Sequence, residues 1–412
     1  MIRNLNTAFV SILILFYLIF SNSYGETLNE LIERAKQNNP QLKKIEKELS
    51  IAKQKVKFAG RLLNPSLRLS TEGKKVIKKP VEALFIEFRQ EFIYPAKLSL
   101  RKDIEKRNYE ILYLSLKSQE LVLMKQIKEE AYSLWLINEK SHLLDKYIKS
   151  LRNLIKLLEN KKFKKTEDRL IVKSDTSKLK IVLYNLQKEK ITLDARKKVK
   201  IASLKKLVNY NIKGDVQVNL KFPQVYHDLE LYKLFLKQYS PVLQSVEQNL
   251  KKIRLEYELS KKFYYPDFDI TFRYSLRSNF WDGIGANIKM NLPIWKKFDE
   301  ELIVLEEESK VATIKERWQD SFNNLYFSLE ENYYKLKEAE KKYQFINRYL
   351  VYESENNLKL TTKAYLEHKV DVINLISAIN TKISVDMERL EEIYNANLAL
   401  LNIYQLIDIT YF

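Results

Sequence analysis

Six glycines and eight prolines are all the strong helix breakers that this chain of 412 residues carries, and none falls between Ala96 and Lys213 or between Ile294 and Phe412. Uninterrupted runs of that length predict helices longer than a compact domain holds. From Ala96 to about Asn160 alone, a continuous helix measures roughly 95 Å at about 1.5 Å per residue. The breakers that remain fall in a similar order twice. Pro40 and Pro65 are matched by Pro241 and Pro266, and Leu28 to Leu42 (LNELIERAKQNNPQL) reads like Leu229 to Leu243 (LELYKLFLKQYSPVL). Asn64 to Leu69 (NPSLRL) likewise reads like Tyr265 to Ile270 (YPDFDI), and the offset is 201 in both places. A repeat at fixed spacing marks a duplicated unit.

Each copy reads helix, two strands, long helix, turn, long helix. The first copy spans 26–210, with strands about 65–73 and 83–93 and long helices about 96–160 and 167–209. A linker at 211–227 leads to the second copy at 228–412, with strands about 266–277 and 283–292 and long helices about 296–362 and 370–408. Apolar spacings of three and four define the seams of the long helices. In the second copy these are Val311, Ile314, Trp318, Phe322, Leu325, Leu329, Tyr333, Leu336, Ala339, Tyr343, Ile346 and Leu350, then Val370, Ile373, Ile376, Ile379, Ile383, Met387, Leu390, Tyr394, Leu398 and Leu401.

The strands carry a different period. Phe268, Ile270, Phe272, Tyr274 and Leu276 alternate with Asp269, Thr271, Arg273 and Ser275, and Ile284, Ala286, Ile288 and Met290 alternate with Gly285, Asn287 and Lys289. Leu67 and Leu69, then Leu84, Ile86 and Phe88 set against Glu87 and Arg89, repeat this in the first copy. One apolar and one charged face suits a strand with lipid on one side and water on the other, at a length that crosses an outer membrane when tilted. Ile270, Phe272 and Ile288 are the expected lipid-facing residues. Phe263, Tyr264, Tyr265, Phe280, Trp281 and Trp295 crowd the strand ends, where a membrane interface favours aromatics. A small soluble sheet packed on a helix is the plain alternative, but the long helices already have seams of their own. Four strands cannot close a barrel, since about eight is the minimum, so if these strands face lipid several chains must share one.

Residues 1–25 read as an export signal, with Arg3 ahead of an apolar core from Ala8 to Phe20 that is shorter than the about 20 residues a membrane span needs. With no cysteine, the chain has no disulfide framework and no lipid attachment through a thiol. The formal charge of +19 would suit nucleic acid in the cytosol, but export and lysines interspersed with glutamates along helices argue against that partner. His142, His227 and His368 stand far apart without ligand spacing, so no metal or cofactor site is expected. Nor do the serines have triad context, and Gly283 and Gly285 lie within an alternating strand, so the chain does not read as an enzyme.

Asn38-Asn39-Pro40, Leu62 to Leu67 (LLNPSL), Tyr264-Tyr265-Pro266-Asp267 and Asn291 to Trp295 (NLPIW), placed at these points of a duplicated exported chain, resemble the outer membrane efflux protein family, the TolC-like exit ducts. Glu91 to Arg101 (EFIYPAKLSLR) resembles the heavy-metal branch, with Ala96 where that branch has glycine. The resemblance implies a homotrimer whose chains each give four strands to one barrel in outer membrane lipid. It also implies a helical tunnel, an α-barrel, across the periplasm, fed by an inner-membrane pump through a periplasmic adaptor. Tyr365-Leu366-Glu367-His368 matches the family's hairpin tip with His368 in place of glycine, and Phe163 to Thr166 occupies the equivalent first tip. Thr166 and His368 are thereby candidate adaptor contacts, and Asp371, Asn374 and Asp175 candidate residues of a periplasmic gate. Two other readings are an adaptor, which would have one hairpin and Gly-rich β modules, and an exported structural coiled coil, which leaves the alternating strands unexplained.

Overall fold

The computed structural model describes residues 26–72, 83–160, 166–212, 216–224, 228–277, 281–290 and 300–408. The export-signal reading, Asn291 to Trp295, Phe280, Phe163 and His227 lie outside the described residues, as do parts of the linker.

Short helices open each copy, and local chemistry sets their ends. Thr27 and Glu30 form a reciprocal capping box at the start of α1 (Leu28–Asn38), satisfying two backbone donors at once. Asn39 then accepts from the amides of Gln41 and Leu42, and Pro40 occupies the first position of α2 (Pro40–Phe58), where its missing N–H costs nothing. The Asn-Pro pair therefore stops one helix and starts the next. In the second copy Ser240 and Pro241 divide α5 (Leu229–Tyr239) from α6 (Pro241–Lys261) at the matching place.

Four strands follow these pairs: β1 (Ser66–Glu72), β2 (Ala83–Phe92), β3 (Phe268–Arg277) and β4 (Gly283–Met290). They form one antiparallel sheet in the order β1-β2-β3-β4, so the two copies meet along β2 and β3. The long helices are α3 (Pro95–Glu159) and α4 (Thr166–Val208) in the first copy, then α7 (Glu300–Phe345), a π-turn (Ile346–Leu350), α8 (Val351–Leu366) and α9 (Val372–Ile407). At 65 residues, α3 spans roughly 98 Å at about 1.5 Å per residue.

Two compact units result, and each draws on both sequence halves. Met1–Lys43, Gln119–Leu236 and Leu325–Phe412 make one; Lys44–Ser118 and Lys237–Asn324, which hold the sheet, make the other. In the first unit α3, α4, α8 and α9 share a core that includes Leu144, Leu151, Leu179, Tyr365, Leu375 and Ile379. Leu144, Leu179 and Leu375 are fully enclosed, each contributing about 1.5–3 kcal/mol. The linker is held to this unit: Gln217 donates to Glu26 O, and Phe222 stacks on Tyr343 at 4.4 Å.

Eight of the twenty-two seam residues are buried, Leu329, Leu336, Ala339, Ile346, Ile379 and Ile383 among them, and all the others except Ile373 are half-buried. Ile373 is a correction. It is 64% exposed, and Val372 and Leu375 take the interior places, because α9 begins at Val372 and sets its own phase.

Candidate channel sheet and hairpin tips

The register of the sheet decides which side chains share a face. Phe272 pairs with Phe88 on β2 and Ala286 on β4, and Ile270 pairs with Ile288. Leu67 and Leu69 stand opposite Phe88 and Ile86. All of these lie on one face, and that face is uncovered: Leu67 is 67% exposed, Phe272 54% and Ile288 67%. The expected lipid-facing trio of Ile270, Phe272 and Ile288 is thus a contiguous cluster across β3 and β4.

Charge is gathered on the other face. Arg89 reaches Asp269 at 2.6 Å and Arg273 reaches Glu87 at 2.5 Å, both across the β2–β3 junction of the two copies. Gln90 and Phe85 break the alternation and are locally satisfied. Gln90 enters the apolar face opposite Ile270 but donates its amide to Leu63 O and Glu91 O. Phe85 enters the charged face beneath the Arg273 guanidinium, 5.5 Å from the ring centroid.

Where the sheet passes into α3, the conspicuous motifs of the two copies come together. Tyr94 stacks flat on Tyr265, centroids 4.7 Å apart. Asp267 accepts from the Tyr94 amide at 2.8 Å and from Lys97 Nζ at 2.9 Å, and Lys97 also donates to Tyr265 O. Lys97 is only 4% exposed, and these two acceptors satisfy its buried Nζ. This knot was not legible as a site: Lys97 and Asp267 lie far apart in sequence, and only their motifs singled them out.

At the second tip Tyr365, the last-turn residue of α8, donates its hydroxyl to Asp175 Oδ2 at 3.0 Å, joining α8 to α4. Burial first, and then the Asp175 carboxylate, hold the Tyr365 phenol above its ordinary range. The chain then reverses through His368, whose φ of 58° is left-handed. The His368 amide bonds Tyr365 O and the Lys369 amide bonds Ala364 O, the paired contacts of a Schellman ending. Histidine thus stands in the backbone position that the glycine of the resembled family suits. Asp371 caps α9 without a side-chain cap bond, exposed beside Asn374, whose amide bonds Asp371 O at 3.1 Å. Thr166 opens α4.

Higher on the same unit is a buried polar cluster that sequence spacing alone hid among seam residues. Asp386 accepts from Tyr147 Oη and Lys382 Nζ, each at 2.6 Å. Desolvation, reinforced by Asp386, pushes the Tyr147 phenol up. The cluster lines a groove of about 530 Å³ with Glu355 and Arg389. Among the described residues no group of three His, Cys, Asp or Glu side chains could hold a metal ion, and no helix is long and apolar enough to cross a membrane.

No protein-family model matches the chain, and no curated protein matches it. Solved structures do. CusC, studied for the conformational changes that accompany folding and transmembrane channel formation, aligns over 92% of this chain and 91% of its own at 12% identity and a TM-score of 0.77. The open MtrE outer membrane channel of Neisseria gonorrhoeae covers 92% and 88% at 12% identity and 0.76. The outer membrane protein VceC of Vibrio cholerae covers 92% and 95% at 13% identity and 0.72. The chain has the fold of these channel proteins along nearly its whole length.

Proposed function

We propose that this chain is the outer membrane exit duct of a tripartite efflux or secretion system. The uncovered apolar face of an open four-stranded sheet carries the reading. In water such a face destabilises; in lipid it is solvated, provided the free edges of β1 and β4 are paired. Three copies joined β4 to β1 make a closed twelve-stranded barrel, with the Arg89–Asp269 and Arg273–Glu87 pairs facing its watery lumen. The likeness to CusC, MtrE and VceC supports this, as do the family motifs at Tyr94 to Lys97 and Tyr265 to Asp267, the former favouring the heavy-metal branch. Substrate arrives passively from an inner-membrane pump, through a periplasmic adaptor that meets the tips near Thr166 and His368. An adaptor or a bare coiled coil would leave the apolar sheet face without a solvent.

Membrane fractionation with gels of unheated and heated extract tests it. The chain should co-sediment with outer membrane and run unheated as an oligomer that heating dissociates. Recovery as a soluble periplasmic monomer would overturn the reading.

A further inference from the structure

Two stripes of large apolar side chains on the hairpin unit face solvent, on helices whose opposite sides are already buried in its core. One runs along α4 through Leu170, Ile181, Tyr184, Ile191 and Val199; the other runs through Tyr334, Phe345, Tyr349, Tyr352 and Leu360 on α7, the π-turn and α8. All ten are between 47% and 69% exposed. On an ordinary solvated helix such residues are scattered singly, whereas large apolar residues that recur on one helical face at spacings of three, four, seven, eight and eleven mark a packing surface.

The stripes match each other in register. Measured from the hairpin ends at Thr166 and Leu366, Ile181 and Tyr352 both lie about four turns away, Tyr184 and Tyr349 about five, and Val199 and Tyr334 about nine. Leu170 and Leu360 fall within about the first two turns. The same alignment sets Lys178 opposite Glu355 and Arg196 opposite Glu338, all exposed. Lys198 then meets Lys335, whose ammonium is held by Glu331 at 2.6 Å. Together the ten side chains offer on the order of 1,000 Å² of open surface, close to what stable protein interfaces bury, about 1,200–2,000 Å² in total.

We infer that the α4 stripe of one copy packs antiparallel on the α7–α8 stripe of the next, with Tyr184 against Tyr349 and Val199 against Tyr334. The inference rests on the trimeric duct reading and specifies which helical faces join its copies. Both junctions then have the same sense: the first repeat of one copy meets the second repeat of its neighbour, as β1 meets β4 in the barrel. A head-to-tail contact of this kind closes into a ring.

The chain has no cysteine of its own, so introduced thiols report cleanly. Full-length Tyr184→Cys and Tyr349→Cys chains carrying different tags are co-expressed, and membranes are treated with a mild oxidant. The expected result is a covalent dimer holding both tags, and none from Tyr184→Cys with Tyr334→Cys, which is displaced by about 22 Å along the helix. Loss of the mixed dimer while the unheated oligomer persists overturns this seam and leaves the duct reading standing. Equal crosslinking in the displaced pair overturns the register. Absence of any unheated oligomer from the unmodified chain removes the duct reading and the seam with it.

Discussion

His368 and Tyr365 show how much a single position decides at the tip. A non-glycine residue in the left-handed region is strained, so His368→Gly should stabilise this hairpin by about 1 kcal/mol. A small upward shift in thermal unfolding midpoint would register it, and a decrease would show that the imidazole contributes contacts outweighing the strain. Tyr365→Phe should act in the opposite direction, costing about 1.5–3 kcal/mol because Asp175 loses a charge-assisted donor in a half-buried place. Because the folded phenol sits above its ordinary value, the link is fully present at neutral pH and is lost only as pH climbs past about 10 towards the raised value. Denaturant midpoints of the parent should fall over that alkaline range more steeply than those of Tyr365→Phe; parallel curves would remove the bond from the account. The tip motif could be read in the sequence because Tyr-x-x-His keeps the family spacing. Its bond to Asp175 could not, since no local pattern connects residues on different hairpins.

Among the elements, the strands were the most legible, because a period of two admits one assignment of faces and the register leaves no slack. That certainty supports a test. Phe272→Lys or Ile288→Lys should impair assembly by about 2–4 kcal/mol per chain near the bilayer midplane, whereas Asn287→Lys, on the charged face, should be tolerated. The yield of unheated oligomer reads the difference, and equal losses on both faces would mean that lipid does not lie where the register puts it. Helices were legible in extent but less so in phase. Spacings of three and four continue smoothly through Ile346 and Leu350 on paper, yet the backbone inserts a π-turn there, and in the first turn of α9 Val372 and Leu375 are buried while Ile373 is exposed. Wide apolar coverage of these helices is the physical cause: when stripes on two sides are both apolar, the sequence cannot say which one meets the core and which meets another copy.

For the whole molecule, duplication made the architecture readable. Each half must reproduce the same helices and strands, so Pro65 and Pro266 recur where the chain enters the first strand of each copy. What no single chain displays is the mouth of the proposed duct. In the proposed trimer the second-hairpin tips would approach one axis and bring three copies of Asp371 and Asn374 together in one ring. The structure gives Asp371 an exposed position at the start of α9 and gives Asp175 a bond to Tyr365, so the two aspartates should act differently. A ring of exposed carboxylates attracts cations and repels anions. Asp371→Ala should therefore lower cation selectivity in planar-bilayer recordings while the closed state persists. Asp175→Ala removes the acceptor that ties the second hairpin to α4, and its expected signature is more frequent or larger openings with selectivity nearly unchanged. If both variants conduct as the parent does, neither aspartate belongs to the gate, and the constriction must be sought elsewhere along the tunnel.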